Sequence, residues 1–132
     1  MEEFLSLQSL QKPDIENYLT DIRQAIKENR FSLARRPKNK ALTQDFILSE
    51  QDELDIIASL TADDFSDAVK NEHPGYEHET LFIFGTSTSL LERFGENERI
   101  VNLYIKFNKL ENMFVFIISF HEQEFPMHYY FT

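Results

Sequence analysis

The sequence predicts an α+β domain, and three observations carry that prediction. Apolar residues recur at three and four positions in the first half, then at every second position from Leu81 onward. Helical patterns come first and strand patterns follow, instead of alternating. The 132 residues suit one domain, and 42% hydrophobic content with 13 Phe supplies a bulky core. A chain of this length buries roughly two-thirds of its unfolded surface. The expected architecture is N-terminal helices packed on a mostly antiparallel sheet, forming one domain over 13–132 after a loose polar tail at 1–12.

Pro13 suits a first helical turn, where its missing N–H costs nothing. Ile15, Leu19, Ile22 and Ile26 form one apolar stripe. Asp14 and Glu16 at the start, with Lys27 and Arg30 at the end, complement the helix dipole. These features predict a helix over 13–29. A basic stretch follows and Pro37 interrupts it, which biases Arg36 towards an extended backbone. Ser49-Glu50-Gln51-Asp52 is a capping-box pattern that opens a helix with Leu54, Ile57 and Ala58 inward. Thr61-Ala62-Asp63-Asp64 repeats the pattern and predicts a second short helix anchored by Phe65 and Val69. Pro74-Gly75 marks a turn. Leu81–Gly85 reads as a short strand. IVNLYIKFNKL and MFVFIISF read as two strands around a turn at Leu110–Asn112, hence an antiparallel hairpin. MHYYF is a candidate last strand, with Pro126 outside the ladder.

The formal charge is −10. A free-standing nucleic-acid binder is usually basic, because phosphate contacts dominate its affinity. The charge is uneven, however. Lys27, Arg30, Arg35, Arg36, Lys38 and Lys40 are six of the 13 Lys and Arg, whereas Ser49–Asp67 holds no base. One basic element therefore accompanies an acidic body. With no Cys, disulfides and thiolate metal sites are excluded, and a reducing cytosol is the expected compartment. No leader-like segment and no apolar run long enough for a bilayer is present, so a soluble cytoplasmic protein without membrane contact is expected.

Alternation puts Val101, Leu103, Ile105 and Phe107 on one strand face, and Asn102, Tyr104, Lys106 and Asn108 on the other. The hairpin brings His121 near the start of the first strand, diagonal to Asn102. Tyr, Lys and His on one sheet face are the groups metal-free RNA cleavage needs: a base, an acid and a cation for the growing phosphate charge. Polar residues on the open face of an antiparallel sheet are also commonplace. Arg35, Arg36, Lys38 and Asn39 are candidate phosphate contacts, since Arg pairs bidentately with phosphate. The same stretch also reads as a solvated loop balancing the acidic helices. HEQEF begins like a zincin motif, but Phe125 stands where a His is required and the context is a strand. His73 and His78 flank a Pro-Gly turn without ligand spacing and read as a surface loop. No metal and no cofactor is expected. A rival reading is a non-catalytic acidic inhibitor from a phage or mobile element. Asp52, Glu53, Asp55, Asp63, Asp64 and Asp67 would then occupy a basic nucleic-acid-binding partner, such as a CRISPR effector nuclease.

The ordered set RPKN, SLTADDF, LYIKF and SFHEQEFP resembles the MqsR-like toxins of toxin–antitoxin systems, from about Ile22 to the C-terminus. The resemblance implies a RelE-like fold and a metal-independent endoribonuclease that cuts mRNA and is silenced by a cognate antitoxin. It implies catalytic roles for Tyr104 and Lys106, with His121 in place of a functional lysine. Asp67 stands where shorter members carry a catalytic lysine, and Ile83 where they carry a glutamine. The resemblance lets the basic Arg35–Asn39 stretch replace the lost cation.

Overall fold

The computed structural model describes residues 10–132; residues 1–9 of the expected tail lie outside the described residues. The order is α1 (Lys12–Lys27), β1 (Phe31–Leu33), α2 (Pro37–Asp45), α3 (Glu50–Ala58), one 3-10 turn (Ala62–Asp64), β2 (Phe65–Lys70), β3 (Thr80–Leu91), β4 (Glu98–Lys109) and β5 (Val115–Glu122). The five strands lie in the order β1-β5-β4-β3-β2. All neighbours are antiparallel except β1, which runs parallel to β5. The fold is α+β, with N-terminal helices and a mostly antiparallel sheet.

Helix α1 begins one residue before Pro13, and Asp14 accepts the Gln11 N–H at 2.8 Å. It ends in a Schellman motif. Asn29 takes the left-handed conformation at φ 62°, and the N–H groups of Asn29 and Arg30 return to Ile26 and Ala25 at 3.1 and 2.7 Å. The apolar stripe is buried as expected: Ile15, Leu19 and Ile22 are sealed from solvent. In α3 the Ser49 box closes, with Asp52 N–H to Ser49 Oγ at 3.1 Å and Ser49 N–H to Asp52 Oδ2 at 2.9 Å. Ile57 is buried, but Ala58 is exposed and Glu53 takes the inward position instead.

Four local expectations are corrected. Pro37 does not break the basic stretch; it starts α2 in the first-turn position, and Leu42 and Phe46 bury that element's far end. The helix expected after Thr61 is a single 3-10 turn, and Phe65 and Val69 lie on strand β2. Strand β3 does not stop at Gly85. It continues through Thr86–Leu91, because its polar residues pair residue by residue with Glu98–Leu103. MHYYF joins no ladder. That segment instead packs Tyr130 and Phe131 against Phe65, with ring centroids 5.3 and 6.1 Å apart, and Tyr130 N–H bonds Phe65 O at 2.9 Å.

The core lies on one face of the sheet. Val101, Leu103, Ile105, Phe107, Ile117 and Phe120 are fully buried there with Phe84 and the apolar faces of α1 and α3. The other face carries the cleft.

Candidate active site

The inward parity of β5 changes part-way along the strand. Ile117 pairs with Phe107, yet Ser119 pairs with Lys106, so Ile118 is an extra residue. Such a bulge bends the strand and re-aims its side chains. Both Ile117 and Phe120 then face the core, while Ser119 and His121 face the cleft. His121 is thus directly opposite Tyr104 and, as expected, diagonal to Asn102, whose carbonyl receives the Gln123 N–H at 2.8 Å.

Asn39 holds the bulge. Strand β1 pairs only with Val115–Ile117, and among the described residues the rest of the β5 edge has no strand partner on that side. The Asn39 amide takes that place. Its Nδ2 donates to Ala34 O and Ile118 O at 3.0 and 3.1 Å, and its Oδ1 accepts the buried Phe120 N–H at 3.0 Å. Asn39 was a candidate phosphate contact. Although it borders the cleft, both its amide N–H groups are committed to the backbone, so its role is positional.

Two rows of side chains form the floor of the cleft. One row runs Asp67, Ile83, Lys106, Ser119 across four strands, and the next runs Gly85, Tyr104, His121. The N-terminus of α2 raises one wall with Arg36, Pro37 and Lys38, and residues 124–127 raise the other. The cleft encloses about 570 Å³, within the range of small-molecule and cofactor pockets. Gly85 leaves room where the C-terminal segment crosses the sheet. A Cβ there would lie 2.6 Å from Tyr129 Oη and 2.7 Å from Met127 Sδ.

The imidazole of His121 stacks on Tyr104, with centroids 5.0 Å apart and planes 12° from parallel. Its Nδ1 lies 2.9 Å from Glu122 O. A carbonyl only accepts, so Nδ1 carries a proton and Nε2 is the nitrogen left for chemistry. Burial raises the Tyr104 pKa, which Arg36 offsets and Asp67 reinforces. Burial lowers the Lys106 pKa, and the nearby charges of Arg36 and Lys38 lower it further. Among the described residues neither Arg36 nor Lys106 forms an ion pair, whereas Lys38 pairs with Glu124 across the mouth of the cleft. That contact holds the Glu124 carboxyl below the usual carboxylate range.

The cleft therefore brings together Tyr104, Lys106, His121, Arg36 and Lys38, along with Asp67 and Ile83. Arg35 is not among them; it faces Glu50 of α3 at 4.0 Å. Of the acidic set, Asp52 and Asp55 are exposed on α3, but Glu53 is buried and cannot meet a partner. Asp63 pairs with Lys12 at 3.0 Å, Asp64 accepts the Thr61 N–H at 2.9 Å, and Asp67 lies in the cleft. Glu53 is therefore closed to a partner, and Asp67 belongs to the cleft. Sequence reasoning missed Glu124, Phe125 and Met127 as a cleft wall. The available signal was HEQEFPM itself, a polar and apolar mixture directly after a buried strand.

Among the described residues no three His, Cys, Asp or Glu side chains are grouped to hold a metal ion. His73 and His78 lie in the exposed 71–79 loop. No helix among them is long and apolar enough to cross a membrane. Comparison with protein-family models, curated proteins and solved structures finds no match to this chain.

Proposed function

We propose that the cleft cleaves RNA without a metal ion and that the chain is an mRNA endoribonuclease of the toxin type, restrained by an antitoxin protein. The observation that carries this reading is the meeting of His121, Tyr104 and Lys106 on adjoining rows of one cleft, beneath Arg36 and Lys38. His121 Nε2 takes the proton of a ribose 2′-OH. The 2′ oxygen attacks the adjacent phosphorus, the bond from phosphorus to the 5′ oxygen breaks, and Lys106 gives a proton to that oxygen. The products are a 2′,3′-cyclic phosphate and a 5′-hydroxyl. The lowered pKa of Lys106 makes this proton easier to release. Tyr104, kept protonated by its raised pKa, holds the imidazole flat. Arg36 and Lys38 hold the phosphate and oppose its growing charge.

Purified protein incubated with RNA in excess chelator is expected to yield cyclic-phosphate ends by mass spectrometry. His121→Ala should cut the rate about 10²- to 10⁴-fold, with an unchanged melting temperature. In cells, induced wild-type protein should arrest growth and create new mRNA 5′ ends that vanish in the variant. Equal cleavage by His121→Ala, or cleavage that needs an added metal, would overturn the assignment.

A further inference from the structure

We infer that Phe125 is a stacking platform for an unpaired nucleobase, so that the cleft takes single-stranded RNA and not duplex. This rests on the ribonuclease reading and specifies its substrate. Phe125 is 79% exposed, yet it forms part of the cleft wall between Glu124 and Pro126. Leaving a phenyl ring in water forfeits the gain of burying it. The exposure does not come from a loose end. On one side Gln123 is tied to β4 through its N–H to Asn102 O at 2.8 Å and its amide to Leu103 O at 3.0 Å. On the other, Ser66 Oγ donates to His128 O at 2.5 Å and Tyr130 N–H bonds Phe65 O. Pro126 restricts Phe125 to extended conformations and stiffens the segment that presents it.

The alternative platform, Tyr104, already has one ring face against His121. Phe125 has no aromatic neighbour among the described residues. A ring beside a cluster of cations is the pairing that single-stranded nucleic acid requires, since cations hold the backbone and rings stack the bases. In a duplex the base faces are hidden in the stack, so only an unpaired base reaches such a ring. Phe94 supplies the contrast. It is 93% exposed but lies in the 92–97 loop, and it is not among the residues that line the cleft.

The test uses the full chain and a short RNA with every 2′-OH methylated, which binds without being cut. The protein has no Trp, so Phe125→Trp adds a single fluorophore whose quenching reports stacking. Phe125→Ala should weaken single-strand binding about 5- to 150-fold, the 1–3 kcal/mol typical of one stacked base. Its salt dependence should stay unchanged, because no phosphate contact is lost. Phe125→Trp should bind at least as tightly and be quenched. Phe94→Ala should match wild type, and duplex of the same sequence should bind more weakly than single strand. Unaltered affinity in Phe125→Ala, or an unquenched Trp, refutes the platform while wild-type binding and cleavage leave the ribonuclease reading intact. A wild-type protein that neither binds nor cuts RNA removes that reading and this inference with it. Phe125 would then be open to a protein partner.

Discussion

On β4 the inward residues Val101, Leu103, Ile105 and Phe107 are fully buried, whereas Tyr104 and Lys106 between them line an open cleft. The two faces are built by different rules. The core face needs apolar residues at alternate positions and tolerates many choices of them. The cleft face needs particular side chains opposite one another, so it depends on register. That register turns on one extra residue, Ile118. If Ile118 were instead paired like its neighbours in a regular strand, His121 would share the parity of Ile117 and point into the core. The catalytic candidates are therefore held by a backbone irregularity, and that irregularity is held by the side chain of Asn39.

The sharpest way to separate the faces is to change adjacent residues of β4. Phe107→Ala should cost about 3–5 kcal/mol, because a buried ring leaves a cavity. Lys106→Ala should change stability by only about 0.5 kcal/mol while sharply slowing RNA cleavage. Urea unfolding and a cleavage assay on both variants check this. If Lys106→Ala destabilised as much as Phe107→Ala, the cleft face would be structural. Asn39→Ala comes next. It orphans the buried Phe120 N–H and two carbonyls, for an expected loss of about 3 kcal/mol. Its distinctive mark is a shift in the amide resonances of Ser119 and His121 alongside lost activity. A stable variant with an unmoved His121 would mean that the bulge holds itself.

These three variants also show what the sequence disclosed. The core face of β4 was legible because four apolar residues alternate without interruption, and α1 because its stripe and dipole charges agree. The bulge was not, since FIISF contains no Gly or Pro to mark it. The function of Asn39 depends on Ile118 and Phe120, which are 79 and 81 positions away. Helix α2 was hidden by its charge. Pro37 reads equally as a stop and as a first-turn proline, and the spacing of Leu42 and Phe46 is the signal that favours the second. Ahead of β2 the Thr61 capping pattern is real, but it closes only one 3-10 turn before Phe65 becomes extended. Hairpin geometry alone puts Tyr104, Lys106 and His121 on one surface, whereas the pairing of Tyr104 with His121 rests on the bulge.

A fourth variant tests whether charge obeys the same division. Glu53 lies on the buried side of α3, and burial pushes its pKa up from 4.5 to about 7, with Glu50 adding to the rise and Arg35 opposing it. A raised carboxyl pKa means that the folded state holds the proton more tightly than the unfolded state. Stability from this group is therefore full below about pH 4.5 and is lost as pH rises towards 7. The gap corresponds to an upper limit of about 3 kcal/mol. Glu53→Gln removes the titration. The variant should be more stable than wild type above pH 7, by an amount that shrinks to nothing near pH 4. Chemical denaturation at pH 4.5, 6 and 8 reads the difference directly. A constant offset across those values would show that Glu53 does not titrate in this window.

The smallest effect is expected where the C-terminal segment crosses the sheet. In Gly85→Ala the new methyl meets Tyr129 Oη, Met127 Sδ and Gln123 Nε2, all side-chain atoms with no backbone among them. The cost should be about 1 kcal/mol, the low end of overpacking. Its location is more informative than its size. The core face is untouched, so unfolding should remain cooperative, while limited proteolysis should speed up between Gln123 and Tyr129. Cleavage should fall too, because this segment carries one wall of the cleft beside Tyr104 and His121. Faster proteolysis with full activity would show that the wall is dispensable and that the floor alone performs the chemistry. Unchanged proteolysis would show that the segment is held by its bonds to Asn102, Leu103 and Phe65, with Gly85 contributing no more than room.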